Sequence, residues 1–415
     1  MGRFAAFVEN PQPLRLYCGV QHYDWGQRGA SAFIPALIGF PPEPGIAYAE
    51  LWIGAHPVKP ARVEIGGSLV SLAELIEAAP EAALGASCVR RFGSRLPFLL
   101  KVLSAERMLS IQAHPSRAQA RAGFAREEAE GIPREADHRR YRDDNHKPEL
   151  IVALGEFYAL CGFRSEDDLV ELRDRYPELI DLTAPPSGGA ASIEATFTAI
   201  MSLEPARRDA LVAAIVARLE ARNAERPFDK GDHAYWLLRA DRQFSRDGRR
   251  DPGVLAMLML NLVRLEPGQG LFLDAGELHS YLEGVGVELM ANSDNVLRGG
   301  LTSKFVDVAE LRRVLTFRRG PARPLRPGQG GAYETPAEEF TLTAVALTPD
   351  MPWRGTSDRE GPDVWLVVEG QVRLSWKAGR LELRRGDAVF VAPPVGAYEL
   401  QAEGPPARVF RATTP

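Results

Sequence analysis

The strongest constraint on the fold is a change of hydrophobic periodicity that occurs twice along the 415-residue chain. Residues 97–154 alternate short apolar runs with polar clusters, which is typical of strands in a covered sheet. Ser165 and Asp168 then have the spacing of a capping box, and apolar side chains recur at helical spacing until about Met259. Strand patterns return at Leu262. We therefore predict a β domain over residues 1–164 and 260–320, interrupted by a helical insertion over residues 165–259.

A second β unit follows a stretch rich in proline and glycine, residues 320–331. Beyond it, apolar side chains alternate along Val364–Val368, Val372–Trp376 and Val389–Val391, with glycines between these runs. Several short antiparallel strands of this kind are typical of a sandwich or a jelly roll, so we predict a C-terminal jelly-roll-like domain over residues 321–415. It contains no histidine, and we expect it to be structural or to carry an interaction surface. The predicted fold class is mainly β with a helical insertion.

The composition limits the kinds of binding partner and the cellular compartment that we expect for this protein. Charged residues make up 25% of the chain, with a formal net charge of −5 and no long block of one sign, so we expect neither a nucleic acid nor a membrane surface as a partner. The longest apolar run of helical type, Val254–Leu260, is far shorter than the roughly 20 residues of a membrane span. Met1–Leu16 lacks the apolar segment of a secretory signal, and three scattered cysteines suit free thiols. These features predict a soluble cytoplasmic protein.

Four residues have the chemistry and the placement of metal ligands. Gln112 and His114 are two positions apart, so on a strand both side chains lie on one face and can bind one cation. Glu149 opens an apolar strand, and His279 follows a glycine-containing turn. Two imidazoles with two oxygen donors suit Zn²⁺, and also Fe²⁺ or Mn²⁺. Each residue alone also fits a structural role, such as a histidine bonded to backbone or a glutamate paired with Lys147.

A second concentration of polar groups lies between Ser293 and Lys304, in a segment that contains two adjacent glycines. Arg298 and Lys304 could together bind a phosphate, or Arg298 could stabilise negative charge on reacting carbon atoms. A surface loop with solvated charges is the alternative interpretation.

Five segments of the chain match, in order, the motifs of one known family: Tyr23–Gly26, Ala49–Pro57, Pro97–Pro115, Asp143–Glu149 and Asn292–Lys304. On these segments the chain resembles the type I mannose-6-phosphate isomerases of the cupin superfamily. The resemblance implies a cupin-type jelly-roll catalytic barrel and the interconversion of mannose 6-phosphate and fructose 6-phosphate. It also implies one Zn²⁺ per chain, held by Gln112, His114, Glu149 and His279.

The same resemblance implies roles for further residues. Arg298 falls on the catalytic arginine of the family, and Lys147 and Asp294 fall where proton transfer has been suggested. Moving a proton between C1 and C2 through a cis-enediol needs a base, a group that polarises the oxygens and a tether for the phosphate. The positions at which the family is thought to hold the phosphate correspond to Lys101, Ser110 and Lys304.

Two other functions stay open from the sequence. Two histidines and one carboxylate can form the facial triad of an Fe²⁺ oxygenase, although the basic pair Arg298 and Lys304 argues for a phosphate ligand instead. A sugar-phosphate sensor without catalysis is the third hypothesis, and the presence of Arg298 beside a full ligand set argues against it. The sequence does not set the oligomeric state and is compatible with a monomer.

Overall fold

The structure, a computed structural model, describes residues 4–179, 181–182, 189–356 and 358–415. Strands predominate on both sides of a helical region, which confirms the prediction of a mainly β chain with helices between its β-rich parts. Within the described ranges, no helix is both long enough and apolar enough to span a bilayer.

The first β-rich part ends at Phe163. Its strands are β1 Leu14–Leu16, β2 Gly19–Gln21, β3 Glu50–Ile53, β4 Arg62–Ile65, β5 Ser68–Ser71, β6 Phe98–Ala105, β7 Ile111–Ala113, β8 Glu149–Ala153 and β9 Phe157–Phe163. Its helices are α1 Ala5–Glu9, α2 Phe33–Ile38, α3 Leu72–Ala78, α4 Pro80–Leu84, α5 Ala86–Phe92 and α6 Arg117–Ala129.

The helical region and the second β-rich part follow. The helical region contains α7 Glu166–Arg175, α8 Gly189–Met201, α9 Pro205–Glu225, α10 His233–Phe244 and α11 Gly253–Ala256. After it come β10 Leu260–Leu265, β11 Gly270–Leu273, β12 His279–Ala291, β13 Leu297–Gly300 and α12 Val308–Val314. The C-terminal unit has β14 Ala332–Tyr333, β15 Thr341–Leu347, β16 Trp353–Gly355, β17 Asp363–Glu369, β18 Gln371–Trp376, β19 Gly379–Arg384, β20 Ala388–Val391, β21 Tyr398–Ala402 and β22 Ala407–Thr413.

The helical region is fixed at its start and along one face. The predicted capping box is present, since the amide of Ser165 donates to the Asp168 carboxylate at 3.1 Å and the amide of Asp168 donates to the Ser165 hydroxyl at 3.2 Å. The apolar faces of the helices, with Trp236 at 0% exposure, share one buried cluster with Ile111 of β7 and Leu297 of β13. The helices therefore support the part of the large sheet that carries these two short strands.

One long strand, β12, organises the large ten-stranded sheet. Its first part, from His279, pairs with β7 and β9, and its second part, from Gly284, pairs with β6 and β8. The register shifts between Tyr281 and Glu283. Gly284 has φ 136° and lies so close to Phe157 that a Cβ atom would come within 2.6 Å of its ring. This glycine bend lets the sheet curl, and its concave face lines a cleft.

The C-terminal unit has two antiparallel sheets with an apolar cluster between them that includes Trp365, Val389 and Leu400. The six-stranded sheet also contains β1, whose Leu14 lies opposite Phe390 of β20. Three residues from the beginning of the chain thus complete a sheet built near its end. The domain boundaries given above stay predictions.

The large sheet lies between the cleft and the C-terminal unit, and successive side chains along a strand point alternately to its two faces. On β6, Lys101 and Leu103 line the cleft, whereas Leu100 and Val102 belong to a buried cluster that also contains Phe410 of the C-terminal unit. β6 therefore has one face in the cleft and one face in the interface between the two β units.

Candidate active site

The cleft on the concave face is open and has a volume of about 500 Å³. Side chains from β3, β6 and β12 form its walls, and Gln243, Phe244 and Arg246 reach it from the end of the helical region. Most residues singled out from the sequence lie in its lining: Lys101, Ser110, Gln112, Lys147, Glu149, Asp294, Arg298 and Lys304. His114 and His279 lie below that surface and are fully buried.

Three side chains at the floor form a candidate metal site, called here the metal end. His114, Glu149 and His279 can each offer one ligand atom, and these atoms lie within 4.8 Å of one another. The Nε2 atoms of His114 and His279 are each 3.5 Å from an oxygen of Glu149. Neither Nε2 atom, nor Oε2 of Glu149, has a hydrogen-bond partner, although all three are buried. Buried polar atoms without partners are costly, and a shared cation would satisfy all three.

Backbone carbonyls orient the rings of both histidines. Nδ1 of His114 lies 2.6 Å from the carbonyl oxygen of Asn295, and Nδ1 of His279 lies 3.0 Å from that of Glu277. When each Nδ1–H donates to its carbonyl, each Nε2 keeps a free lone pair directed at the other ligands. Burial lowers the pKa of His114 to about 4, so its ring is neutral at pH 7 and ready to bind a metal.

Glu149 is held as a carboxylate. Its burial opposes the charged form, but Lys147 and His114 together hold the pKa of this carboxyl well below its usual range. The ammonium of Lys147 lies 2.8 Å from Oε1 of Glu149, and Lys147 is itself 9% exposed. Lys147 therefore occupies the boundary between the metal end and the open cleft.

Gln112 lies on the same sheet face as its predicted partners. In the antiparallel register it is directly opposite His279 of β12 and directly opposite Arg298 of β13. Side chains that are directly opposite in an antiparallel pair lie on one face. The amide of Gln112 is thus located between the metal end and Arg298, while its role as a ligand stays a prediction.

A second part of the cleft lining, called here the cationic end, carries two cationic side chains that form no ion pair with a described residue. Arg298 and Lys304 both line the cleft, and neither side chain forms an ion pair or hydrogen bond with any described residue. Burial lowers the pKa of both groups, and repulsion from Arg142 lowers both further. Like charges held together in this way favour the binding of an anion.

Lys101 differs from this pair because its charge is already satisfied. Its ammonium lies 3.1 Å from Glu288 and 3.6 Å from Glu50, and the residue is 5% exposed. Burial opposes its charge, but the two carboxylates raise the pKa of Lys101 overall. Lys101 is therefore in the cleft wall, as expected, but it is less available to a phosphate than Arg298 or Lys304.

Comparisons with known proteins identify the family of this chain. The family described as phosphomannose isomerase type I, catalytic domain, matches residues 14–166. The mannose-6-phosphate isomerase of Escherichia coli K12 is 34% identical over 407 residues, covering 95% of this chain and 99% of that protein. Mannose-6-phosphate isomerase 2 of Arabidopsis thaliana is 33% identical, covering 96% and 92% respectively. The chain belongs to the phosphomannose isomerase type I family.

Solved structures of phosphomannose isomerases share the whole fold. A mannose 6-phosphate isomerase bound with zinc and yttrium has a TM-score of 0.85 and 32% identity, covering 97% of this chain and 99% of that one. The Salmonella typhimurium enzyme, bound to its substrate fructose 6-phosphate and to zinc, has the same TM-score, identity and coverage. The described helical region and the C-terminal unit are therefore part of the shared architecture.

In this member of the phosphomannose isomerase family, sequence reasoning missed several supporting residues. His56, buried at 3% exposure, lies 3.3 Å from the Asp294 carboxylate, and its contact lowers the pKa of Asp294 although burial opposes this. Asp251 of the helical region accepts the amides of Leu301 at 2.7 Å and Thr302 at 3.1 Å. The sequence could have indicated His56, because it lies within one of the matched motifs. No sequence motif indicated Asp251.

Proposed function

We propose that the chain is a Zn²⁺-dependent aldose–ketose isomerase that interconverts mannose 6-phosphate and fructose 6-phosphate through a cis-enediol(ate) intermediate. The observation that carries this proposal is the composition of the cleft, which combines an unsatisfied two-histidine, one-carboxylate cluster with cations that form no ion pair. A substrate that carries sugar hydroxyls on one end and a phosphate on the other matches both ends.

The same proposal covers the fold of the catalytic part, which we propose is a cupin-type jelly-roll barrel. The pairing of β12 with four different strands and the bend at Gly284 support a sheet that closes on itself. We propose catalytic segments 1–164 and 260–320, a helical insertion at 165–259 and a C-terminal domain at 321–415.

The residues at the metal end fit one Zn²⁺ per chain. Two imidazoles and one carboxylate converge, and the amide of Gln112 on the same sheet face is the fourth ligand that we propose. When bound, the metal supplies positive charge that stabilises negative charge on the sugar oxygens. The carbonyls of Asn295 and Glu277 keep both rings oriented for this task.

Lys147 is the side chain to which we assign proton transfer between C1 and C2. Its location at the boundary of the metal end and the cleft supports this role. In its amine form, Lys147 accepts the proton from C2 of the aldose; the C2–H electrons form the C1–C2 double bond and the π electrons of the C1 carbonyl move to O1. The proton then returns to C1 while O2 forms the carbonyl of the ketose. Asp294, an ionised carboxylate that also lines the cleft, is the proposed group for moving the hydroxyl proton from O2 to O1.

The phosphate is assigned to the cationic end. A sugar phosphate carries nearly two negative charges at pH 7, which matches Lys304 and the positive field that Arg298 adds beside it. Arg298 lies opposite Gln112, and this placement next to the metal end also supports a role in stabilising the enediolate. Ser110, which lines the same cleft, can add a hydroxyl donor, and Lys101 can contribute only as part of its carboxylate pair.

A coupled assay of fructose 6-phosphate formation tests the proposal with Arg298→Ala and with a matched arginine variant on the surface, Arg207→Ala. Arg207 is 60% exposed on α9, outside the cleft lining. We expect a loss in kcat/KM of about 100-fold or more for Arg298→Ala, because one donor to developing negative charge is worth that much, and none for Arg207→Ala.

Metal analysis of the same preparations separates this function from its rivals. Stoichiometric zinc without turnover of either sugar phosphate contradicts the proposal. Oxygen consumption that depends on Fe²⁺ would favour the oxygenase, and binding of the sugar phosphate without turnover would favour the sensor.

A further inference from the structure

We infer that Glu339, a residue of the C-terminal unit, is a positioning residue for Lys147. Glu339 holds the 143–148 loop on the side that faces away from the cleft. Lys147 lies on the other side of the same loop and faces into the cleft. The inference rests on the proposed role of Lys147, and it gives the C-terminal unit a part in the reaction without any contact with substrate.

Glu339 lies between β14 and β15 and is almost completely buried, at 2% exposure. Its Oε1 atom lies 2.7 Å from Nε2 of His146 and accepts a hydrogen bond from the guanidinium of Arg117, which itself lies 2.8 Å from the same His146 nitrogen. Burial opposes the charged form, but His146 and Arg117 lower the pKa of this carboxyl, so the anchor is ionic. Its Oε2 atom is buried without a partner, so the whole attachment depends on Oε1.

Neighbouring residues of the loop have opposite orientations. Lys147 lines the cleft with its ammonium 2.8 Å from Glu149, whereas His146 is not in the lining and contacts only Arg117 and Glu339 through its side chain. The preceding residue, Asn145, is held separately, because its carbonyl accepts the Asn295 amide at 2.8 Å. The anchor on His146 is therefore the last side-chain attachment before the base.

The covalent geometry of the loop transmits this attachment to Lys147. Lys147 precedes Pro148, and a residue before proline is restricted to extended backbone conformations. With little freedom at its own backbone, Lys147 follows any movement of His146. A displacement of about 1 Å at a catalytic group can cost up to about 100-fold in rate. An anchor that prevents such a displacement acts on kcat more than on substrate binding.

Steady-state kinetics of Glu339→Gln and Glu339→Asp on the zinc-loaded full-length enzyme test the inference. Glu338→Gln is the matched control, because Glu338 is 69% exposed and lies 3.5 Å from the same Arg117. We expect kcat to fall about tenfold in Glu339→Gln, with KM and zinc content unchanged, and to recover partly in Glu339→Asp. We expect Glu338→Gln to match wild type.

A double-mutant cycle tests whether the effect runs through His146. If Glu339 and His146 act as one unit, Glu339→Ala combined with His146→Ala should lose no more kcat than the larger single loss. Losses that multiply contradict the proposed connection. A wild-type kcat in Glu339→Gln, or a fall that comes only with zinc loss, overturns the inference.

Two further measurements separate failure of the inference from failure of the proposed function. If Lys147→Ala keeps full activity, the proposed role of Lys147 itself is wrong. If Lys147→Ala is inactive but Glu339→Gln is fully active, only the positioning role of Glu339 is contradicted. Amide hydrogen exchange of the 143–148 peptide needs no turnover. We expect faster exchange in Glu339→Gln than in wild type or Glu338→Gln, and equal exchange in all three overturns the inference.

Discussion

Around the metal end of the cleft the lysines are paired with carboxylates, whereas at the cationic end Arg298 and Lys304 form no ion pair with any described residue. Glu149 contacts Lys147 at 2.8 Å, and Lys101 lies between two carboxylates. The metal end is thus organised before substrate arrives. The cationic end instead holds repulsion that a bound phosphate would relieve, so its ligand supplies the missing counter-charge.

The two ends are also supported from different sides of the molecule. Asp251 of the helical region binds the backbone of Leu301 and Thr302, in the loop that connects Arg298 of β13 to Lys304. Glu339 of the C-terminal unit binds His146, in the loop that carries Lys147. We therefore expect damage to the helical support to appear in substrate binding, and damage to the C-terminal support to appear in turnover.

The largest expected effect is the loss of the metal end itself. His114→Ala removes one of three buried ligands and should abolish stoichiometric zinc binding and lower kcat/KM by about 1,000-fold or more, since a metal contributes several kcal/mol to such a reaction. Metal analysis and the coupled assay measure both. His138→Ala, an exposed histidine outside the cleft lining, is the control. Retention of zinc in His114→Ala would contradict the assigned ligand set.

Removing the paired Lys101 and removing the unpaired Lys304 should change stability in different ways. Lys101→Met leaves Glu50 and Glu288 buried beside each other without a cation, which should cost about 3 kcal/mol or more and lower the Tm by several degrees. Lys304→Met relieves repulsion with Arg298 and should leave the Tm unchanged or slightly raised. Thermal unfolding followed by circular dichroism measures both. Equal losses in the two variants would remove the contrast between the paired and the unpaired lysine.

The metal end should also make the metal-free protein sensitive to acid. Burial lowers the pKa of His114 to about 4, from an ordinary value of 6.5 that applies in the unfolded chain. Between these values the unfolded chain binds more protons, so stability is full above pH 6.5 and falls as pH drops towards 4, by at most about 3 kcal/mol. The Tm of chelator-treated protein should follow this trend. The slope should be smaller in His114→Gln, and an unchanged slope would exclude His114 as its source.

The smallest effect is expected at the support of the cationic end. Asp251→Ala leaves the amides of Leu301 and Thr302 without their acceptor, and Leu301 has a positive φ of 52° that depends on such support. We expect KM for mannose 6-phosphate to rise about tenfold with kcat and zinc content almost unchanged. Asp247→Asn, an exposed position in the neighbouring turn, is the control. A fall in kcat at constant KM would contradict the division of labour between the two supports.

The sequence was sufficient where the signal is local. Ser165, for example, caps its helix through Asp168, a residue three positions away. The roles of the individual site residues came from the resemblance, and they stay predictions.

Contacts between distant segments could not be read from the sequence. The carbonyl of Asn295 orients His114 across 181 positions, and Glu288 pairs with Lys101 across 187. Both contacts depend on which strands become neighbours in the sheet. No pattern within a single strand contains that information.

The pairing of β1 with β20 has a consequence for how the chain is made. Arg15 contacts Glu382, 367 residues later, so the first strand leaves the ribosome long before its partner exists. Contacts between such distant segments form late and slowly, and an unpaired strand is prone to aggregation until they form. Strand β1 therefore cannot pair with β20 until nearly the whole chain has been synthesised. We expect chaperone protection during translation to matter more for β1 than for any strand of the large sheet.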